Sequence, residues 1–323
     1  MPLSAVPMEA KSASELPNGE GWWYEPKWDG FRCLVFKRGD HVVLQAKSGK
    51  PLGRYFPEVV ARIAAIPEDG FALDGELLIP VGEGYSFEAL QMRLHPAESR
   101  IRKLSSEAPA RLALFDMLTA PCGQDLRGEP LRKRRKALAA FVRRHGDAQL
   151  FLTEGTDDPA DAQAWLRSGR LEGVIAKRLD EPYREGERAM IKVKRIRTAD
   201  CVVGGFRYGT DNDFVGSLLL GLYDDAGRLD HVGFTSAIAV ADKPALTKRL
   251  EALRGGPGFT GDAPGGPSRW SDERSSQWVP LRPELVVEVS FDHVSGGRFR
   301  HGTKLLRLRP DKAPEQCGRD QIA

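Results

Sequence analysis

The feature that most constrains this chain is a change in hydrophobic rhythm near residue 200. Before it, strand and helix signals alternate. FRCLVFKR and HVVLQAK, separated by Gly39-Asp40, pattern as a β-hairpin. PEVVARIAAI carries the helical spacing of apolar residues, FALDGELLIP reads as a strand with a turn at Asp74-Gly75, and the basic stretch over 130–145 reads as a helix. GVIAKRL and MIKVKRI are two more short strands. After the change come five short strand candidates: CVVGGFRY, SLLLGLYD, HVGFT, LVVEVSF and KLLRLRP. One helix (KPALTKRLEALR) and a Gly/Pro-rich loop (GGPGFTGDAPGGP) interrupt them. Five strands and a helix in about 110 residues fit a small Greek-key barrel such as the OB-fold.

The expected fold is therefore α+β: an N-terminal domain of mixed and antiparallel sheets with helices over residues 1–197, then an OB-fold β-barrel over 198–323. The length of 323 residues agrees with two domains of roughly 150 each. The boundary falls in the charged segment Arg195–Asp200, suited to a hinge.

Composition excludes several classes. Hydrophobic residues are 41% and charged residues 29%, which permits a sizeable core and rules out a largely disordered chain. No apolar run approaches the 18 or so residues of a membrane span, and the amino terminus lacks a signal peptide's cationic start and apolar stretch. The expectation is a cytoplasmic protein. Cys33, Cys122, Cys201 and Cys317 are scattered, with no CxxC pair, so neither a disulfide framework nor a zinc site is expected. The net charge of +3 is small, but its distribution is uneven. Basic residues cluster at 298–312, at 186–200 and from Arg132 to Lys136. Such runs are usually solvated faces; two of them flanking a domain junction favour a polyanion partner.

The densest chemistry lies at Glu25-Pro26-Lys27-Trp28-Asp29-Gly30-Phe31-Arg32. A lysine amine is a nucleophile only when deprotonated, and neighbouring cations with partial burial are the usual means. Asp29 can assist a metal or orient the amine, Gly30 permits close backbone approach, and Arg32 supplies a planar fork for phosphate. One KxDG tetrapeptide arises readily by chance. Here it is followed in order by Asp74-Gly75-Glu76-Leu77, Leu114-Phe115-Asp116, Glu172-Gly173-Val174-Ile175-Ala176-Lys177, Lys192-Val193-Lys194 and Arg309-Pro310-Asp311-Lys312.

With these six motifs the chain resembles the covalent nucleotidyltransferases, and specifically the ATP-dependent DNA ligases of the small stand-alone bacterial C type. Phe56-Pro57-Glu58 and Arg93-Leu94-His95-Pro96 add to the likeness. The resemblance implies an N-terminal nucleotidyltransferase (adenylation) domain. It implies that Lys27 attacks ATP, becomes a lysyl-AMP phosphoramidate, and passes the adenylate to nicked double-stranded DNA in repair. By the same resemblance Asp29 belongs to the catalytic set, and Glu25 matches a position at the adenine edge. Arg32 matches a residue near the nucleotide and the 5′-phosphate, Glu76 the ribose contact, Phe115 the aromatic that stacks on the purine. Lys192 and Lys194 match the pair that grips the α-phosphate, and Glu172 a carboxylate associated with the catalytic Mg²⁺ or Mn²⁺. Arg309, Asp311 and Lys312 match the barrel-domain motif that orients pyrophosphate. The barrel is expected to swing about the hinge between steps, the enzyme to act as a monomer, and no separate N-terminal DNA clamp is expected.

The chain departs from the family pattern at Lys47, where arginine is usual, at Met190, near an aromatic position, and at Pro310, often acidic. Lys47 keeps the charge of a nucleotide contact without the bidentate geometry. Two other readings stand beside the ligase. An RNA-capping guanylyltransferase or RNA ligase shares the KxDG lysine, and a catalytically dead relic would bind DNA through its barrel alone.

Overall fold

The structure is a computed structural model that describes residues 4–168, 171–210, 213–265 and 277–322. The chain divides into two compact units, Met1–Arg195 and Ile196–Ala323.

The first unit is built on two sheets. One runs β4 (His41–Ala46), β3 (Phe31–Arg38), β5 (Phe71–Leu78), β6 (Arg111–Ala120) and β7 (Leu150–Leu152), antiparallel except for the parallel β6–β7 pair. The other runs β1 (Ala10–Ala13), β9 (Met190–Lys194), β8 (Gly173–Arg178) and β2 (Trp22–Lys27), with only β1–β9 parallel. The apolar run of β3 is continuous because both of its faces are covered. Cys33 and Val35 join a core with Phe71, Leu73 and Leu114, under the helices Pro57–Ala64 and Leu131–His145, whereas Leu34 and Phe36 pack on the opposite side with Ala72, Leu118 and Met190. Strand side chains alternate between faces. The even-numbered positions Arg32, Asp74 and Glu76 therefore lie on the Leu34 side.

The predicted turn at Asp74-Gly75 is not formed. β5 passes straight through these residues, with a register shift against β6 at this point. A Cβ on Gly75 would stand 2.6 Å from the Ala113 carbonyl oxygen, so this glycine accommodates the bulged neighbour strand instead of a reversal.

The basic run Arg132–Lys136 lies in the helix Leu131–His145, and two of its five residues are turned inward. Arg134 is 1% exposed and forms a bidentate pair with Asp116, Nε–Oδ1 at 2.8 Å and Nη2–Oδ2 at 3.0 Å. Arg135 reaches the Thr153 carbonyl at 2.9 Å. Breaking a buried pair of this kind by removing one partner costs about 3–5 kcal/mol.

In the second unit, β10 (Arg197–Tyr208), β11 (Val215–Tyr223), β12 (Leu229–Ala237), β14 (Thr303–Leu308) and β13 (Val286–Phe291) pair in that order, and β13 returns to β10. The sheet is thus closed, with β12–β14 its parallel pair. Val203, Phe206, Leu218, Val287 and Val289 belong to its hydrophobic core, and the helix Lys243–Glu251 adds Leu246 and Leu250. This five-stranded closed barrel has the OB architecture. Its first strand starts at Arg197, so most of the charged segment expected to hinge is paired strand. The end of the Gly/Pro-rich loop, from residue 266, lies outside the described residues.

Candidate active site

The register of the smaller sheet explains the spacing of its motifs. Lys27 on β2, Gly173 on β8 and Lys194 on β9 form one cross-strand row. Glu25, Ile175 and Lys192 form the next, and Lys177 is paired with Trp23 beyond it. Alternate residues of each strand share a face. Two lysines therefore flank a glycine, and the side chain that chain position 173 lacks is replaced by its neighbour: Glu172 Oε2 accepts a short hydrogen bond from Lys27 Nζ, and Oε1 pairs with Lys194 Nζ at 3.0 Å. A Cβ at 173 would stand 2.2 Å from the Val193 carbonyl oxygen, so only glycine lets the strands pack this closely.

Between the two sheets lies a cavity of about 210 Å³, lined by Lys27, Arg32, Lys47, Glu76, Lys177, Lys192 and the Phe115 ring, among others. Lys177 Nζ sits 4.4 Å from the Phe115 ring centroid and the Arg32 guanidinium 4.9 Å from it, contacts that set two cations against one aromatic. Glu25 is 2% exposed. Its carboxylate accepts from Trp23 Nε1 at 3.0 Å and pairs with Lys177 at 2.5 Å and Arg135 at 3.4 Å. Arg32 clasps Asp74 through two parallel bonds, 2.7 and 2.6 Å.

The charges perturb one another. Enclosure by protein atoms pushes the half-buried Glu76 carboxyl up to about 8, against the opposing pull of Lys27 and Arg32. Burial also acts to raise the Glu172 carboxyl, but the charges and hydrogen bonds of Lys27 and Lys194 prevail and hold it below the ordinary carboxylate value. Lys192 is lowered, by burial first and then by the cations at Lys194 and Lys27.

Other expected site residues are more peripheral. Asp29 lies in the short turn between β2 and β3. There the tight approach of Gly30 is to a neighbouring strand: its Cβ would meet the Leu77 carbonyl oxygen at 2.3 Å. Lys47 is more than half exposed and pairs with Glu9 at 3.1 Å. Arg309, Asp311 and Lys312 belong to the second unit, where Arg309 and Lys312 both bind Asp200 and Arg309 also binds Asp311. Sequence reasoning missed Lys177, Asp74 and Asp200. Lys177 and Asp74 stand inside quoted motifs, and strand alternation would have put Lys177 beside Ile175 and Asp74 beside Glu76. Nothing local marks Asp200.

Among the described residues there is no cluster of three or more His, Cys, Asp or Glu side chains fit to cage a metal. The available donors are the carboxylates Glu76 and Glu172, close enough to repel each other. A sparse, all-oxygen set suits a hard cation that keeps waters and shares substrate phosphate oxygens, as Mg²⁺ does.

Comparison with known proteins decides the family. Residues 3–194 match the model of the ATP dependent DNA ligase domain, and residues 211–312 that of the ATP dependent DNA ligase C terminal region. The chain belongs to the ATP-dependent DNA ligases. Among curated members it is 44% identical to DNA ligase C1 of Mycolicibacterium smegmatis, over 98% of this chain and 93% of that protein. It is 41% identical to DNA ligase C of Mycobacterium tuberculosis, with the same coverage. Among solved structures, the ligase domain of M. tuberculosis LigD is 28% identical, with a TM-score of 0.51 and 97% of both chains covered. These likenesses run through both units of this ligase.

Proposed function

We propose that this ligase seals 3′-OH/5′-phosphate nicks in duplex DNA, with Lys27 as the residue that carries adenylate. The observation that carries the assignment is the placement of Lys27: its amine is held by Glu172, in a row with Lys194, at the wall of a cavity whose far side holds Phe115 and Lys177.

In this reading Lys27 Nζ attacks the α-phosphorus of ATP. The P–N bond forms as the bond to pyrophosphate breaks, and the amine loses its proton. Phosphoryl transfer asks for positioning and charge neutralisation more than covalent help. Lys192 and Lys194 neutralise the α-phosphate, and Glu172 holds Lys27 and Lys194 in register until phosphate oxygens take their place. Phe115 supplies a stacking face for adenine, with Lys177 and Glu25 at the edge of the base, and Glu76 faces the ribose. Asp29 helps to orient the amine. Arg32 serves the nucleotide and then the 5′-phosphate of the nick, and Lys47 offers a single charge at the cavity rim. Glu172, with Glu76, would hold Mg²⁺, which supplies charge neutralisation on the phosphate oxygens. Arg309, Asp311 and Lys312, on the second unit, orient the pyrophosphate in the first step, with the barrel changing position between steps. The adenylate then passes to the 5′-phosphate, and the 3′-hydroxyl displaces AMP to close the strand.

The enzyme is proposed to act as a cytoplasmic monomer in DNA repair; among the described residues no helix is long and apolar enough to cross a membrane. The test is intact mass after ATP and Mg²⁺, alone and with nicked DNA. A gain of one AMP in the parent and none in Lys27→Ala is expected, with loss of the adduct on adding the nick. Labelling by GTP in preference to ATP, or sealing of nicked RNA only, would replace this reading by the capping or RNA-ligase alternative. An adduct on another residue would overturn it.

A further inference from the structure

Behind the cavity lies a buried polar assembly of which the proposed chemistry uses only Arg32. Asp74 and Asp116 face each other as cross-strand partners on β5 and β6, both essentially inaccessible to solvent. Each is clasped by one arginine, Asp74 by Arg32 and Asp116 by Arg134. Tyr183 stands between them. Its hydroxyl lies 2.7 Å from Asp74 Oδ2, and the Arg134 guanidinium lies 5.7 Å from its ring centroid.

The direction of the hydroxyl proton follows from its other neighbour. The amide of Met8 is 2.9 Å from the Tyr183 oxygen and can only donate. The phenol oxygen therefore accepts from Met8, and its own proton goes to Asp74 Oδ2. Tyr183 is 6% exposed, its own amide donates to the Arg127 carbonyl at 2.8 Å, and burial drives its hydroxyl well above the ordinary titration range. It is thus a permanent donor anchored independently of Arg32. Asp74 Oδ2 takes two donors, Tyr183 Oη and Arg32 Nη2, so the phenol sets the plane of the carboxylate that aims the guanidinium. Arg32 spends Nε and Nη2 on Asp74, keeps Nη1 for a ligand, and lies at 4.9 Å over Phe115 in the cavity wall.

We propose that Tyr183 is a positioning residue for the ligase reaction: through Asp74 it fixes the Arg32 fork against the cavity. The proposal rests on the reading of Arg32 as a contact to nucleotide and 5′-phosphate. A carboxylate held by one partner can rotate with it; a third group bound to the same oxygen removes that freedom, which is how outer partners fix the groups that meet the substrate.

The test is a double-mutant cycle on single-turnover nick sealing with enzyme in excess, using the parent, Tyr183→Phe, Arg32→Ala and the double variant, with melting temperatures for all four. Tyr183→Phe is expected to slow sealing about tenfold in the parent and less than about twofold in the Arg32→Ala background. A tenfold loss in both backgrounds would assign Tyr183 to general support of the fold and overturn the proposal while leaving the Arg32 reading intact. So would an unchanged rate in Tyr183→Phe. An Arg32→Ala enzyme as fast as the parent would overturn the Arg32 reading, and the proposal with it. Should Tyr183→Phe not fold, Met8→Pro, which deletes the orienting amide and keeps the phenol, is expected to slow sealing in the parent background only; equal slowing in both backgrounds would overturn the proposal.

Discussion

Asp200 and Arg309 meet as an ion pair in the barrel unit, with Arg309 Nη1 at 2.8 and 3.0 Å from the two carboxylate oxygens. Lys312 shares Oδ2 at 2.8 Å, and Gln321 clamps the Asp200 main chain by accepting from its amide and donating to its carbonyl. The last motif, which follows β14 in a loop, thus has its two cations gathered on one acid of the first barrel strand.

This gathering predicts a step-specific defect. In Asp200→Asn the anchor keeps its shape and loses its charge. AMP transfer from ATP to Lys27 is expected to fall at least tenfold, because charge-assisted bonds are the stronger ones, while sealing of a pre-adenylated nick falls far less. Quench-flow measurement of the two steps checks this; equal losses in both would refute it.

Lys177 offers a test at the other end of the cavity. It is 3% exposed and pairs with Glu25 beneath the Phe115 ring contact. Lys177→Met keeps the length and removes the charge, leaving a buried carboxylate short of a partner. The KM for ATP is expected to rise at least tenfold, with the AMP adduct still formed at saturating ATP.

Glu76 predicts a pH dependence. Its carboxyl is pushed up to about 8 from an ordinary value of 4.5. Between those values the unfolded chain has released a proton that the folded protein retains, so this residue contributes a loss of stability as pH rises through that window. Glu76→Gln removes the dependence. The melting temperature of the variant relative to the parent, without nucleotide or metal, should increase from pH 5 to pH 8; a constant difference would contradict the assignment.

Gly30 separates backbone crowding from chemistry. The carbonyl that its Cβ would strike belongs to β5 and cannot rotate away as a side chain would. Gly30→Ala is expected to lose about 3 kcal/mol of stability, measured by urea unfolding, whether or not ATP is bound.

Much of this was legible in the sequence because strands and motifs report through local rules. The hairpin at Gly39-Asp40, the helix over the basic stretch and the five barrel strands all follow from period and turn chemistry. The alternation in Ile175-Ala176-Lys177 and Lys192-Val193-Lys194 places those side chains on a shared face. The turn expected at Asp74-Gly75 failed for a non-local reason, since that glycine answers to the carbonyl of a strand some 40 residues away in the chain. The reading of basic runs such as Arg132–Lys136 as usually solvated faces was likewise incomplete: a basic run looks alike in sequence whether its arginines meet water or, as Arg134 does, a buried aspartate.

The amino-acid order alone therefore determined the family and the two-part architecture, and singled out the lysine proposed to carry the adenylate, because each is written in short motifs whose order is itself informative. Tertiary structure alone decided which charges neutralise which. Glu172 with Lys27, Glu25 with Lys177, Tyr183 with Asp74 and Asp200 with Arg309 are pairs between distant segments. Sheet register and strand closure bring them together, and no local propensity encodes a contact whose two halves lie more than a hundred residues apart.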